Sequence, residues 1–184
     1  SMWYALDKKN LSIINKVFLT ASGGPLLNVS NRKLSKIKIK DVLKHPNWRM
    51  GKKITVDSAT MMNKVFEIIE AKNIFNLKLS QLDIMVHPQS FIHAVLHLKD
   101  GMIKFIAHKT TMEIPIFNSL YEGKNSYSSN SEINITELNK LKFMKIDKKK
   151  FPVLKIISLI PKKISLFEKY IPSRFDLSSS FDIS

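Results

Sequence analysis

An α+β fold, a small mixed sheet packed against helices, is predicted by three observations on this chain of 184 residues. Strand-like and helix-like segments follow one another in mixed order with no internal repeat. Hydrophobic residues make up 44% of the sequence, enough for one sizeable core. A strongly amphipathic segment around residues 58–75 reads as the main helix, preceded by a long basic stretch with little strand character.

The elements are expected in this order. Residues 16–21 combine aliphatic, aromatic and β-branched side chains and read as a buried strand. It runs into Ser22-Gly23-Gly24-Pro25, a turn whose glycines let a backbone approach a ligand. Residues 26–53 hold nine Lys/Arg against Asp41 alone, and are expected to form an active-site lid with Trp48 and Met50 as its apolar cover. Residues 54–57 alternate like a short strand. Ser58 or Thr60 is expected to cap a helix reaching about Phe75, with Met62, Phe66 and Ile69 on one face.

Farther on, residues 82–86 read as a strand, and residues 91–98 with 102–107 as a hairpin across Lys99-Asp100-Gly101. A short helix is expected at 113–121, a Ser/Asn/Gly-rich loop at 121–134, a last strand at 141–146 and a helical start at 151–160. This gives a catalytic unit over residues 1–160 and a divergent, poorly ordered tail over 161–184.

Composition narrows the function. Without cysteine there is no disulfide framework, cysteine zinc site or thiol nucleophile, which fits a reducing compartment. No apolar run approaches the ~20 residues needed to cross a bilayer, and no basic region with an apolar stretch opens the chain. A cytoplasmic protein without a membrane partner is therefore expected. The net charge of +15 attracts polyanions. Yet only Arg32, Arg49 and Arg174 are arginines, and the lysines are spread along the chain, so a small phosphorylated substrate is expected and a nucleic-acid partner is not.

Several residues carry chemistry. Ser22 and its glycines make either a phosphate cradle or a plain turn. Spacings of three and four put Glu67 beside Lys64 and Asn63 on one helix face; this is either a surface pair or, with Ser58, an anion cradle next to a hard oxygen ligand. His45 is either a donor to a substrate anion or an ordinary loop histidine. His93 and His97 share a strand face, with His87 and His108 nearby. No acidic or cysteine partner stands at ligand spacing, which favours structural histidines.

Four ordered motifs then come together: Ser22-Gly-Gly-Pro25; His45-Pro-Asn-Trp-Arg-Met-Gly-Lys-Lys53; Val56-Asp-Ser-Ala-Thr-Met-Met-Asn-Lys64 with Glu67 and Glu70; and His87-Pro-Gln-Ser90. Together they closely resemble the 1-deoxy-D-xylulose 5-phosphate reductoisomerase family, strongly over residues 18–121 and weakly to about 159. The resemblance implies rearrangement of 1-deoxyxylulose 5-phosphate and reduction by NADPH to 2-C-methylerythritol 4-phosphate, with Mg²⁺ or Mn²⁺ holding the substrate's oxygens. It implies Glu67 as metal ligand, and Glu67, Lys64 and His45 as the catalytic groups. Ser22, Ser58, Asn63, Lys64, Glu67 and His45 would contact substrate, Trp48 and Met50 would cover it, and the Gly51 backbone would approach the nicotinamide nucleotide. A homodimer formed through the sheet is implied as well.

Departures are also visible. The family's Asp-Ser-Glu metal motif and its nucleotide-binding domain belong upstream of Ser1, Val65 and Phe66 stand where a glycine usually follows the Asn-Lys pair, and residues 169–184 match nothing expected of the family's helical domain. An inactive isolated chain is therefore expected.

Overall fold

The structure is a computed structural model that describes residues 6, 11–34, 36–43, 51–121 and 135–161. Five strands, β1 (Ile14–Ala21), β2 (Leu82–Val86), β3 (Ile92–Leu98), β4 (Ile103–Ala107) and β5 (Met144–Lys145), form one mixed sheet in the order β4-β3-β1-β2-β5. The central β1 is parallel to β2 and antiparallel to β3; the β3–β4 and β2–β5 pairs are antiparallel. Three longer helices, α1 (Lys52–Thr60), α2 (Met62–Ile74) and α3 (Glu113–Tyr121), accompany the sheet, with shorter turns at Asn31–Leu34, Ile39–Val42, Pro152–Lys155 and Ile156–Leu159. The α+β expectation holds.

The core forms where the period-2 pattern of the strands meets the 3.6-residue period of α2. Val17, Leu19 and Ala21 of β1, with Ala94, Leu96 and Leu98 of β3, face Val65, Ile68 and Ile69, which recur at i, i+3 and i+4. Phe151 and Leu154 join the same cluster from the far end of the described chain. The edges of the sheet, β4 and β5, would stand about 19 Å apart at a spacing of about 4.8 Å per strand. Phe105 of β4 and Phe143 just before β5 nonetheless bring their ring centroids to 6.0 Å, so side chains from the two edge segments meet.

Three expectations are corrected. Residues 54–57 are helical within α1: Ile54 and Val56 are exposed, whereas Thr55, Ser58 and Ala59 are buried, a helical spacing that inverts the hydropathy of the alternation. Next, the helix expected to run unbroken to Phe75 is interrupted at Met61, whose φ of 65° lies in the left-handed region. Neither Ser58 nor Thr60 caps it; the Thr60 hydroxyl donates back to the carbonyls of Val56 and Asp57. Finally, the last strand shrinks from 141–146 to Met144–Lys145, the only part of it that pairs with β2. β1, conversely, starts two residues earlier than expected. Of the lid expected at 26–53, residues 35 and 44–50 lie outside the described residues, as do most of the loop at 121–134 and the tail from 162.

Truncating Leu96 of β3 to alanine, at a site 2% exposed within the core cluster, is expected to destabilise the protein by about 2–5 kcal/mol, read as the shift of the urea unfolding midpoint.

Candidate functional site

β1 ends at Ala21, and the turn that follows lies backbone against backbone on the last turn of α1. Gly23 and Gly24 adopt φ of 91° and 62°, a region that suits glycine. A Cβ at Gly24 would stand 2.8 Å from the Ser58 carbonyl oxygen and 3.1 Å from the Ala59 Cα. The Gly24 N–H donates to Ser22 Oγ at 3.3 Å, tying that side chain into the turn. Ser58 is buried, and its carbonyl accepts the Met61 N–H at 3.3 Å. The turn that begins at Ser22 is thereby packed, through Gly24, on the backbone of Ser58 and Ala59.

Met61 ends α1 and begins α2 at once, and no side chain caps α2. The first turn of α2 carries Asn63 and Lys64. The Asn63 Oδ1 is the one buried side-chain polar atom among the described residues without a hydrogen-bond partner, a state that costs free energy in an otherwise satisfied interior. The Lys64 Nζ donates to both oxygens of Glu67, at 2.6 and 2.8 Å. The lysine side chain is 12% exposed and that of glutamate 39%, so a largely enclosed ammonium is paired with a carboxylate that reaches solvent. The expected convergence is present for Lys64 and Glu67; Asn63 does not bond to Glu67.

His45, Trp48 and Met50 lie outside the described residues. Gly51 is exposed at the start of α1, with φ of −59° and nothing within 4 Å of an added Cβ, so the local fold does not itself demand glycine there. Among the described residues no group of three or more His, Cys, Asp or Glu is placed to hold a metal ion. Glu67 is a single oxygen donor. The described residues therefore do not compose a metal centre by themselves.

His87, given no individual role by the sequence pattern, proves central to this corner. It is fully buried, its backbone N–H donates to the Ala21 carbonyl at 2.7 Å, and its Nε2 accepts the Phe91 N–H at 3.2 Å. Nδ1, 2.9 Å from the Lys142 carbonyl, must then carry the proton. Burial holds the imidazole below its usual pKa, with the Lys142 carbonyl opposing that effect. Gln89 completes the strap: its amide donates to the Lys140 carbonyl at 2.7 Å and accepts the Lys142 N–H at 3.3 Å. The signal in the sequence was the His87-Pro-Gln-Ser90 run, but its partners at 140–142 are too distant in the chain to be inferred from spacing.

The other described histidines, His93, His97 and His108, make contacts of their own. His97 bonds to Asn15 at 3.0 Å, and His93 stacks on His108 with ring centroids 3.6 Å apart. A separate cleft of about 1180 Å³ lies between the end of α2, β2 and the Pro152–Lys155 turn; none of Ser22, Ser58, Asn63, Lys64 or Glu67 lines it. No helix among the described residues is long and apolar enough to cross a membrane.

A family model described as the 1-deoxy-D-xylulose 5-phosphate reductoisomerase C-terminal domain matches residues 1–75. Among curated relatives, the 1-deoxy-D-xylulose 5-phosphate reductoisomerase of Pelagibacter ubique (strain HTCC1062) is 51% identical over 176 residues, 96% of this chain and 45% of the relative. That of Wolbachia pipientis wMel is 45% identical over 143 residues, 78% of this chain and 37% of its own. Among solved structures, a DOX-P reductoisomerase in complex with NADPH, fosmidomycin and magnesium superposes with a TM-score of 0.74 at 35% identity, covering 83% of this chain and 38% of that one. The Zymomonas mobilis enzyme in complex with NADPH gives 0.75 at 31%, covering 85% and 40%. In class, then, the fold is that of a reductoisomerase segment. The chain belongs to the 1-deoxy-D-xylulose 5-phosphate reductoisomerase family and spans less than half the length of the relatives it matches.

Two measurements follow from this geometry. Gly24→Ala places a methyl against the Ser58 carbonyl and a side chain in the left-handed region, so a loss of at least about 1–2 kcal/mol is expected in denaturant unfolding. The second concerns pH. Burial, then the neighbouring His108, pushes the His93 pKa down to about 4, below its unfolded value near 6.5. Between those values the unfolded chain binds more protons than the folded one, so stability falls as pH drops from 6.5 toward 4. His93→Asn is expected to flatten that part of the curve, read as urea midpoints from pH 7 to 4.

Proposed function

We propose that this chain forms the phosphate-holding part of an enzyme that converts 1-deoxy-D-xylulose 5-phosphate to 2-C-methyl-D-erythritol 4-phosphate by skeletal rearrangement and NADPH reduction, in the cytoplasm. The observation that carries the reading is the uncapped start of α2, with Lys64 in its first turn, adjoining the Ser22-Gly-Gly turn and Ser58. Free N–H groups at a helix N-terminus, hydroxyls and a lysine are the donors that a phosphate dianion accepts from.

On this reading Ser22, Ser58, Asn63 and Lys64 bind the phosphate and hydroxyls of the substrate. The buried Asn63 Oδ1 fits a hydroxyl donor, which would remove the cost of its present isolation. The substrate's phosphate competes with Glu67 for the Lys64 ammonium, and the oxygen donor so released is the one carboxylate that these residues offer to Mg²⁺ or Mn²⁺. When bound, the metal supplies Lewis acidity and NADPH a hydride. His45 is assigned to substrate contact, Trp48 and Met50 to exclusion of water, and the Gly51 backbone to the nicotinamide nucleotide. Residues 1–160 act as the catalytic unit, residues 26–53 as its lid and 161–184 as a divergent tail. A homodimer through the sheet suits β4, an edge strand on which Ile103 and Phe105, with Met102 just before it, leave more than half of their surface exposed.

Calorimetric titration of the chain with 1-deoxy-D-xylulose 5-phosphate tests this. Binding is expected, and Lys64→Met should weaken it about 10- to 100-fold, as for loss of a charge-assisted hydrogen bond worth about 1.5–3 kcal/mol. Binding that ignores Lys64 and Ser58 yet falls steeply with salt would instead mark general attraction of anions to a basic protein.

A further inference from the structure

The loop that leaves the Ser22–Pro25 turn is held by a residue 121 positions farther along the chain. The Lys150 Nζ donates to the carbonyls of Leu27 and Val29, at 2.6 and 2.5 Å. Those carbonyls belong to two successive turns, closed by Leu27 N–H to Gly24 and Val29 N–H to Leu26. One ammonium therefore joins two consecutive turns directly behind Gly24. Lys150 is itself fixed. Asp147 accepts the backbone N–H groups of Lys149 and Lys150 at 2.8 and 3.2 Å, and Phe151, 3% exposed, plugs into the core. The anchor thus transmits core packing to the loop through one side chain. With two backbone carbonyls and, among the described residues, no carboxylate at the contact, this lysine is not a surface ion pair; its geometry resembles a cap on chain ends that would otherwise face solvent.

We propose that Lys150 is a positioning residue for the Ser22–Pro25 turn: by tying down Leu27 and Val29 it fixes the angle at which that turn meets Ser58 and the start of α2. The Ser22 side chain and the Gly24 backbone are then presented in one arrangement, and a ligand does not have to order the loop. Two neighbouring facts support a positioning role. Gly24 has no clearance on its Ser58 side, so a loop released at Leu27 can relax only by moving the turn outward. The basic stretch that continues from Val29 also starts from these two carbonyls, so its direction is set at the same point. This proposal rests on the phosphate reading for its ligand consequence, but not for the tie itself.

Lys150→Met keeps the aliphatic stem and removes the ammonium; Lys150→Arg keeps donors for two carbonyls. Both are made in the 184-residue chain and compared with wild type by melting temperature, by amide hydrogen exchange and by calorimetric titration with 1-deoxy-D-xylulose 5-phosphate. In Lys150→Met, exchange at the Gly24, Leu27 and Val29 amides is expected to quicken at least tenfold while amides of β1 and α2 keep wild-type rates and the melting temperature stays within a few degrees. Affinity for the sugar phosphate should drop about tenfold, and Lys150→Arg should recover most of both effects. Unchanged exchange at those three amides overturns the proposal, as does a uniform rise across β1 and α2, which would mean a stability contribution and no local tie. If wild type binds no sugar phosphate while Lys150→Met still loosens the loop selectively, the tie stands and the phosphate reading fails.

Discussion

The contact between the Gly24 backbone and the Ser58 carbonyl is the constraint on which this corner of the molecule depends. It works because glycine has no side chain to hold the two backbones apart, and because β1, buried between a parallel and an antiparallel neighbour, delivers the turn at a fixed height above the sheet. Ser58 is in turn the acceptor for Met61, so the same carbonyl sets both the position of the turn and the start of α2. The apolar stripe of α2 on β1 and β2 supplies the burial that holds this arrangement together.

Much of this was legible in the sequence where a single period dominated. The hairpin of β3 and β4 announces itself by strand composition around Asp100-Gly101, and α2 by its helical period, although its buried face falls on Val65, Ile68 and Ile69, while Met62 and Phe66 of the expected face stay half-buried. Residues 54–57 misled because a four-residue alternation of Ile and Val with Thr and Asp cannot be distinguished from one turn of helix until burial is known. Here small polar residues face inward and the branched aliphatics face out. The break at Met61 was illegible for a different reason. A left-handed conformation at a non-glycine residue is a product of tertiary packing, and a methionine buried to 1% exposure gives no local sign of it.

The site divides along the same line. Lys64 and Glu67 are three apart on one helix, and their pairing follows from spacing alone. The Ser22–Pro25 turn meets Ser58 only because the chain after β1 returns to α1, something the motifs signal by resemblance and not by any periodicity. The contributions of His87, Gln89 and Lys150 all depend on partners more than fifty residues away, and no local pattern encodes such pairings. These long-range bonds share one character: each ends on the partner's backbone, at a carbonyl or, for Gln89, at an N–H as well, so the side chain at the partner position is free to vary while the tie persists.

The single-residue junction at Met61 also bears on how this protein can change over generations. Residues of a helix advance by about 100° each. An inserted or deleted residue between α1 and α2 would swing Asn63, Lys64 and Glu67 together away from the turn that holds Ser22, and would turn Val65, Ile68 and Ile69 out of the core in the same movement. Substitutions here are tested one side chain at a time, but a change of length is tested against the site and the core at once. The segment from Ser58 to Glu67 should accordingly admit many spellings and a single length.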